Sequence, residues 1–156
     1  MKNKKKFILL TYITMILFFG TFCLADAGQE EDAKLYVNKV VQYINKNGLE
    51  KAKKELIKPD GQFQKNDLLI NISDFNGVLL AHNTYIKLIG ENHWNLKDPK
   101  GKLFIQQSIE IAKKGGGWSD FWWTNPKTKK IQSAHGWIQR VPDMEVWVMA
   151  TIPKEK

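Results

Sequence analysis

The stretch Leu68-Leu69-Ile70-Asn71-Ile72-Ser73-Asp74-Phe75-Asn76-Gly77-Val78-Leu79-Leu80-Ala81-His82 decides how the chain is read. Asn76-Gly77 tolerates the positive φ angles of a tight hairpin turn, and β-forming runs flank it. Leu68 to Asp74 and Val78 to His82 are therefore expected to be neighbouring antiparallel strands. Toward the C-terminus, residues 83–101 form a polar connection holding Gly90, Pro99 and Gly101. A connection this long inside a small domain is uncommon and often functional. Phe104, Ile105, Ser108, Ile109 and Ala112 then recur at helical spacing, predicting a helix from Leu103 to Lys113 that Gly115-Gly116-Gly117 stops. Three more strands follow: Trp118 to Trp123, Ile131 to Val141 and Glu145 to Ile152. The turn from Asn125-Pro126 to Lys130 and the turn at Pro142-Asp143 separate them.

Toward the N-terminus, Ala33, Tyr36, Val37, Val40, Val41 and Ile44 mark one face of a long helix. Asn47-Gly48 ends it, because glycine accepts the left-handed conformation of a helix C-terminus. A second helix is expected from Leu49 to Ile57, with Ala52, Leu56 and Ile57 inward, closed by the turn Pro59-Asp60-Gly61. Residues 28–34 are polar and read as frayed. The fold class is α+β: a long N-terminal helix whose apolar stripe packs on a five-stranded antiparallel sheet.

The 156 residues suffice for one domain. Residues 1–27 have the three parts of a secretory signal: Lys2, Lys4, Lys5 and Lys6, an apolar run from Phe7 to Leu24, then Ala25-Asp26-Ala27. Cleavage after Ala27 is the expectation, against an uncleaved membrane anchor or lipidation at Cys23. The exported domain would be residues 28–156, in the periplasm or the medium. It carries 20 basic and 15 acidic residues, a net charge of +5. The lysines alternate with glutamates and form no basic stripe, so nucleic acid is not an expected partner. Cys23 is the sole cysteine, so the exported form would have no thiol chemistry, zinc–thiolate site or iron–sulfur cluster.

All six tryptophans fall between residues 94 and 147. Strand alternation puts Trp118 and Trp122 on one face and Phe121 and Trp123 on the other. One face packs on the helix, so the other is expected to line a cavity beneath the long connection. Aromatic walls with a few polar groups are what small-molecule pockets use. His82 closes the second strand and His135 lies within the fourth, where both could donate hydrogen bonds to a ligand. His93 is expected at the surface. His82, His93 and His135 lack metal-ligand spacing, and no serine sits in a nucleophile-elbow setting. Gly115-Gly116-Gly117 follows a helix, whereas a phosphate cradle precedes one. An enzyme is not expected, and no cofactor is implied.

Several stretches, in order, resemble the single Cache domains of the second type. They are Pro59-Asp60-Gly61-Gln62-Phe63, Asp74 to His82, Ile89-Gly90-Glu91-Asn92, Leu96 to Gly101, Gly117 to Phe121 and Trp123-Thr124-Asn125-Pro126. The resemblance runs from about residue 33 to residue 152. It implies an extracytoplasmic PAS-like fold with a sensing pocket on the sheet face away from the long helix. Ligands of such domains are often short organic acids, and the domains usually serve chemotaxis receptors or sensor kinases in signal transduction. This chain shows no output domain, so signalling would pass through a membrane partner protein. It also departs from the pattern. Ala134 and Trp137 stand where the family commonly has lysine and tyrosine, His135 where it has serine, and Phe121 where it has tyrosine. Met149-Ala150-Thr151 replaces a glycine-rich segment. Losing an ammonium and a phenol weakens the case for a carboxylate ligand. The expected ligand-binding residues are His82, Trp118, Phe121, Trp123, His135 and Trp137. The competing reading is a ligand-free interaction module that docks through exposed aromatics on a membrane or periplasmic protein.

Overall fold

The computed structural model describes residues 22–154, apart from 66–67 and 126–127. Most of the expected export segment therefore lies outside the described residues. Its last part, residues 22–27, is already helical. Helix α1 (Phe22–Asn47) buries Ala33, Val37, Val40, Val41 and Ile44 along one stripe. Burying each of the larger aliphatic side chains is worth about 1.5–3 kcal/mol. Residues 28–34, read as frayed, are part of this helix. Apolar spacing could not show that, because the turn is held by polar contacts. Lys34 pairs with Glu31 at 3.0 Å, and Lys65 reaches across to Asp32 at 2.9 Å. Gly48 (φ 85°) turns the chain into α2 (Leu49–Leu56). Ile57 caps α2 and is exposed, not inward as its spacing suggested.

Five strands follow: β1 (Leu69–Asp74), β2 (Leu79–His82), β3 (Gly116–Thr124), β4 (Ile131–Arg140) and β5 (Val146–Pro153). They form one antiparallel sheet in the order β2-β1-β5-β4-β3, so the last strand lies at its centre. Helix α3 (Phe104–Lys113) precedes β3. The sheet has a core on each side. Ile70, Ile72, Val148, Ala150 and Ile152 pack against α1 and α2. On the opposite face Phe121, Ala134, Ile138, Trp147 and Met149 pack against Ile105, Ile109 and Ala112 of α3. Every residue of β5 from Val146 to Ile152 is consequently buried.

Two local irregularities position the site. In β2, Ala81 pairs with Ile72 but Leu79 pairs with Ser73, so Leu80 is an extra residue, a β-bulge. The bulge brings Leu79 and His82 to the same face although they are three apart in sequence. The second lies in the glycine run expected only to stop a helix. Gly115 does end α3, its N–H donating to the Ala112 carbonyl at 2.9 Å. Gly116 and Gly117 already belong to β3. Gly116 has φ 153°, and a Cβ there would collide with the carbonyl oxygen of Ile138.

The connection after β2 is tied down at both ends. Its residues 90–93 run beside the hairpin: Gly90 N–H donates to Leu79 O, Leu79 N–H to Glu91 O and His93 N–H to Gly77 O, at 2.8–3.0 Å. Further on, the buried Asp98 carboxylate accepts from three backbone N–H groups. Oδ1 takes those of Lys100 and Lys102 at 2.9 Å, and Oδ2 takes that of Trp122 in β3 at 3.0 Å. Burial alone would raise the pKa of Asp98, but these three donors outweigh it and hold the carboxyl below its usual range.

Candidate ligand-binding site

A cavity of about 350 Å³ lies on the sheet face away from α1, between the 83–103 connection and the start of α3. That volume is at the small end of the range for ligand pockets, roughly 300–1,000 Å³. Leu69, Leu79 and Met149 contribute apolar surface from the sheet, and Phe104 and Ile105 contribute it from α3. Phe121 stacks on Phe104 with ring centroids 4.7 Å apart, and Trp123 continues the same face of β3. The polar lining from the sheet floor is Asn71, Ser73 and Thr151, all buried. Asn71 Nδ2 donates to Ser73 Oγ at 3.1 Å. Leu88 and Leu96, exposed at 37% and 44%, and the exposed Thr124 are the lining residues open to solvent and mark the mouth.

His82 has the most defined chemistry of the lining. Its Nδ1 accepts two backbone N–H bonds, from Thr84 at 3.0 Å and Tyr85 at 3.1 Å. A nitrogen that accepts cannot carry the proton, so the ring is the neutral tautomer with its N–H at Nε2. Burial, with a smaller contribution from the neighbouring His93, pushes the His82 pKa down to about 4. Tyr85 packs edge-on against the imidazole, centroids 4.8 Å apart, and burial raises its phenol. Trp123 offers a second donor. Its Nε1 is buried and has no acceptor among the described residues.

The six expected site residues divide between the two faces. His82, Phe121 and Trp123 line the cavity. Trp118, His135 and Trp137 do not. They sit on the α1 side of the sheet, because residues directly opposite in an antiparallel pair share a face and Trp118 opposes Trp137 while Asp120 opposes His135. There Trp118 meets Trp137 edge to face at 5.2 Å, and Lys34 of α1 lies 5.7–5.9 Å from both ring centroids. His135 faces Asp120 through Nδ1 and Glu30 of α1 through Nε2, the latter at 3.7 Å. His93, expected at the surface, lines the cavity while pairing with Glu91 at 3.3 Å. The reading missed Asn71, Ser73 and Thr151. They were findable as polar residues at alternate positions of otherwise apolar central strands.

The sequence profile of the family described as Single Cache domain 2 matches residues 11–153. The chain belongs to that family. Cache domains are extracytoplasmic ligand-sensing modules of signalling proteins, not enzymes. Solved structures agree on the fold. A methyl-accepting chemotaxis protein from Vibrio parahaemolyticus is 22% identical with a TM-score of 0.68, over 83% of this chain and 90% of that one. A Cache chemosensory domain described as recognising carboxylic acids is 18% identical, TM-score 0.66, over 84% and 97%. A periplasmic sensor domain of a chemotaxis protein is 17% identical, TM-score 0.60, over 83% and 92%. No curated protein sequence matches the chain. Among the described residues of this Cache domain, no helix is long and apolar enough to cross a membrane. No cluster of three or more His, Cys, Asp or Glu is placed among them to hold a metal. Ala134 is fully buried in the α3-side core beside Phe121 and Met149.

Proposed function

We propose that this domain senses a small molecule outside the cytoplasm, with the cavity under the 83–103 connection as the binding site. The observation that carries the reading is the cavity itself: an apolar chamber on the face opposite α1 with a short polar floor on the central strands. A core packed for stability alone would fill that volume, since a void forfeits dispersion contacts. The pattern of residues 1–27, read as an export signal or anchor, supports a location beyond the membrane.

The route for a signal runs through β5. Met149 and Thr151 line the cavity, while Val148, Ala150 and Ile152, interleaved with them, pack under α1. A ligand that shifts β5 therefore moves the seat of α1. We assign α1 as the element that reports to a membrane signalling partner.

A thermal-shift screen of the purified protein against organic acids, amides, amines, amino acids and purines tests this reading. The midpoint is expected to rise with ligand concentration, because binding to the native state alone adds RT ln(1 + [L]/Kd) to its stability. The rise should vanish in Trp123→Ala. A blank screen, together with capture of a membrane protein that survives Trp123→Ala, would transfer the function to a docking surface.

A further inference from the structure

We infer that the cavity selects an uncharged carbonyl compound, such as an amide or ketone, and discriminates against short carboxylates. The inference rests on the cavity being the sensing site and names the class of ligand it takes.

The first observation is charge. No lysine, arginine, aspartate or glutamate is among the side chains that line the cavity. A carboxylate entering it would shed water and meet no cation, a transfer that costs far more than that of a neutral group. Lys102, which flanks α3, is turned to the Asp120 carbonyl.

The second observation is the state of His82. Its Nδ1 is held by two converging N–H donors. Adding a proton there would set three donors against one another, so the ring cannot become a countercharge without breaking the local backbone. It stays a neutral donor at Nε2. His93 is the other lining imidazole, and its Nε2 is turned to the Glu91 carboxylate at 3.3 Å.

The third observation is the imbalance of donors. The hydrogen bonds of His82 are both at Nδ1, which leaves Nε2–H without a protein acceptor among the described residues, and the Trp123 indole N–H is buried without one. Both groups can only donate in these states. The two donors stand on opposite edge strands, β2 and β3, so each takes its own acceptor, and a neutral carbonyl oxygen satisfies such a donor without bringing charge into an apolar wall.

Calorimetric titration of the full chain at neutral pH with butyrate, butyramide and butanone tests the inference. The amide or the ketone is expected to bind at least tenfold more tightly than the carboxylate. The acid should gain affinity as the pH falls toward its own pKa, while the amide does not. Trp123→Phe removes only the N–H and should weaken the neutral ligand several-fold. A carboxylate that binds as well as its neutral counterparts at neutral pH overturns the inference and leaves the sensor reading standing. So does an amine or other cation emerging as the sole binder from the wider screen. A blank in every series, wider screen included, overturns both.

Discussion

The imidazole of His135 lies flat on the indole of Trp118, with ring centroids 4.0 Å apart and planes within 10°. This pair sits on the α1 side of the sheet, where Glu30 and Lys34 of the helix meet it. Its role is to seat the helix. Trp118→Ala is expected to lower unfolding stability by about 2 kcal/mol, less than a fully buried tryptophan would cost. Denaturant melts should show that loss while the ligand-induced rise in midpoint stays intact. Loss of the ligand response with unchanged stability would contradict this division of the two faces.

The neutral His82 makes stability depend on pH in a definite direction. Its folded pKa of about 4 lies below the ordinary 6.5, so between these values the unfolded chain binds a proton that the folded one does not. That contribution is complete above pH 6.5 and declines as the pH falls toward 4. The whole decline amounts to about 3 kcal/mol at 1.36 kcal/mol per unit. His82→Gln should melt lower at neutral pH and show a flatter profile across the window. Equal slopes in wild type and variant would rule out His82 as the source.

Asp98 is the clasp of the cavity roof, since three backbone donors converge on its carboxylate. Asp98→Ala strands them in a buried place, at about 2–3 kcal/mol. Hydrogen exchange should speed up selectively at Lys100, Lys102 and Trp122, with ligand affinity falling in step. Unchanged exchange at these amides would show that the roof has another anchor.

Gly116 pairs with Gln139 at the start of β3 in a conformation reserved for glycine. Gly116→Ala combines backbone strain with a collision at the Ile138 carbonyl. A loss of about 2 kcal/mol or more is expected in thermal or denaturant melts. A neutral effect would mean that the strand start shifts freely.

The order of elements was legible because its punctuation is local. Asn76-Gly77, Gly48 and Pro142-Asp143 announce turns by residue chemistry alone, and Ala33 to Ile44 shows its stripe by spacing. The first turns of the described α1 were not legible, because their partners Lys65 and His135 are distant in sequence. The site was half legible for a similar reason. Alternation groups Phe121 with Trp123 correctly, but it cannot say which residues of β4 share their face. That is settled by register, which pairs Phe121 with Ala134 and sends His135 and Trp137 to the helix side. His82 reaches the cavity floor only through the bulge at Leu80, where simple counting by twos fails.

The position of β5 has a consequence for how the domain comes into being. Before β5 is available, β1–β2 and β3–β4 are two separate hairpins, and α1 has little to rest on. Isolated hairpins are marginal in water. Val146 to Pro153 is the keystone: it pairs with β1 on one side and β4 on the other, so a chain lacking it is expected to form neither the closed sheet nor the cavity. The domain thus assembles in one late step, and a truncation that removes these eight residues should leave an unfolded polypeptide and not a smaller sensor.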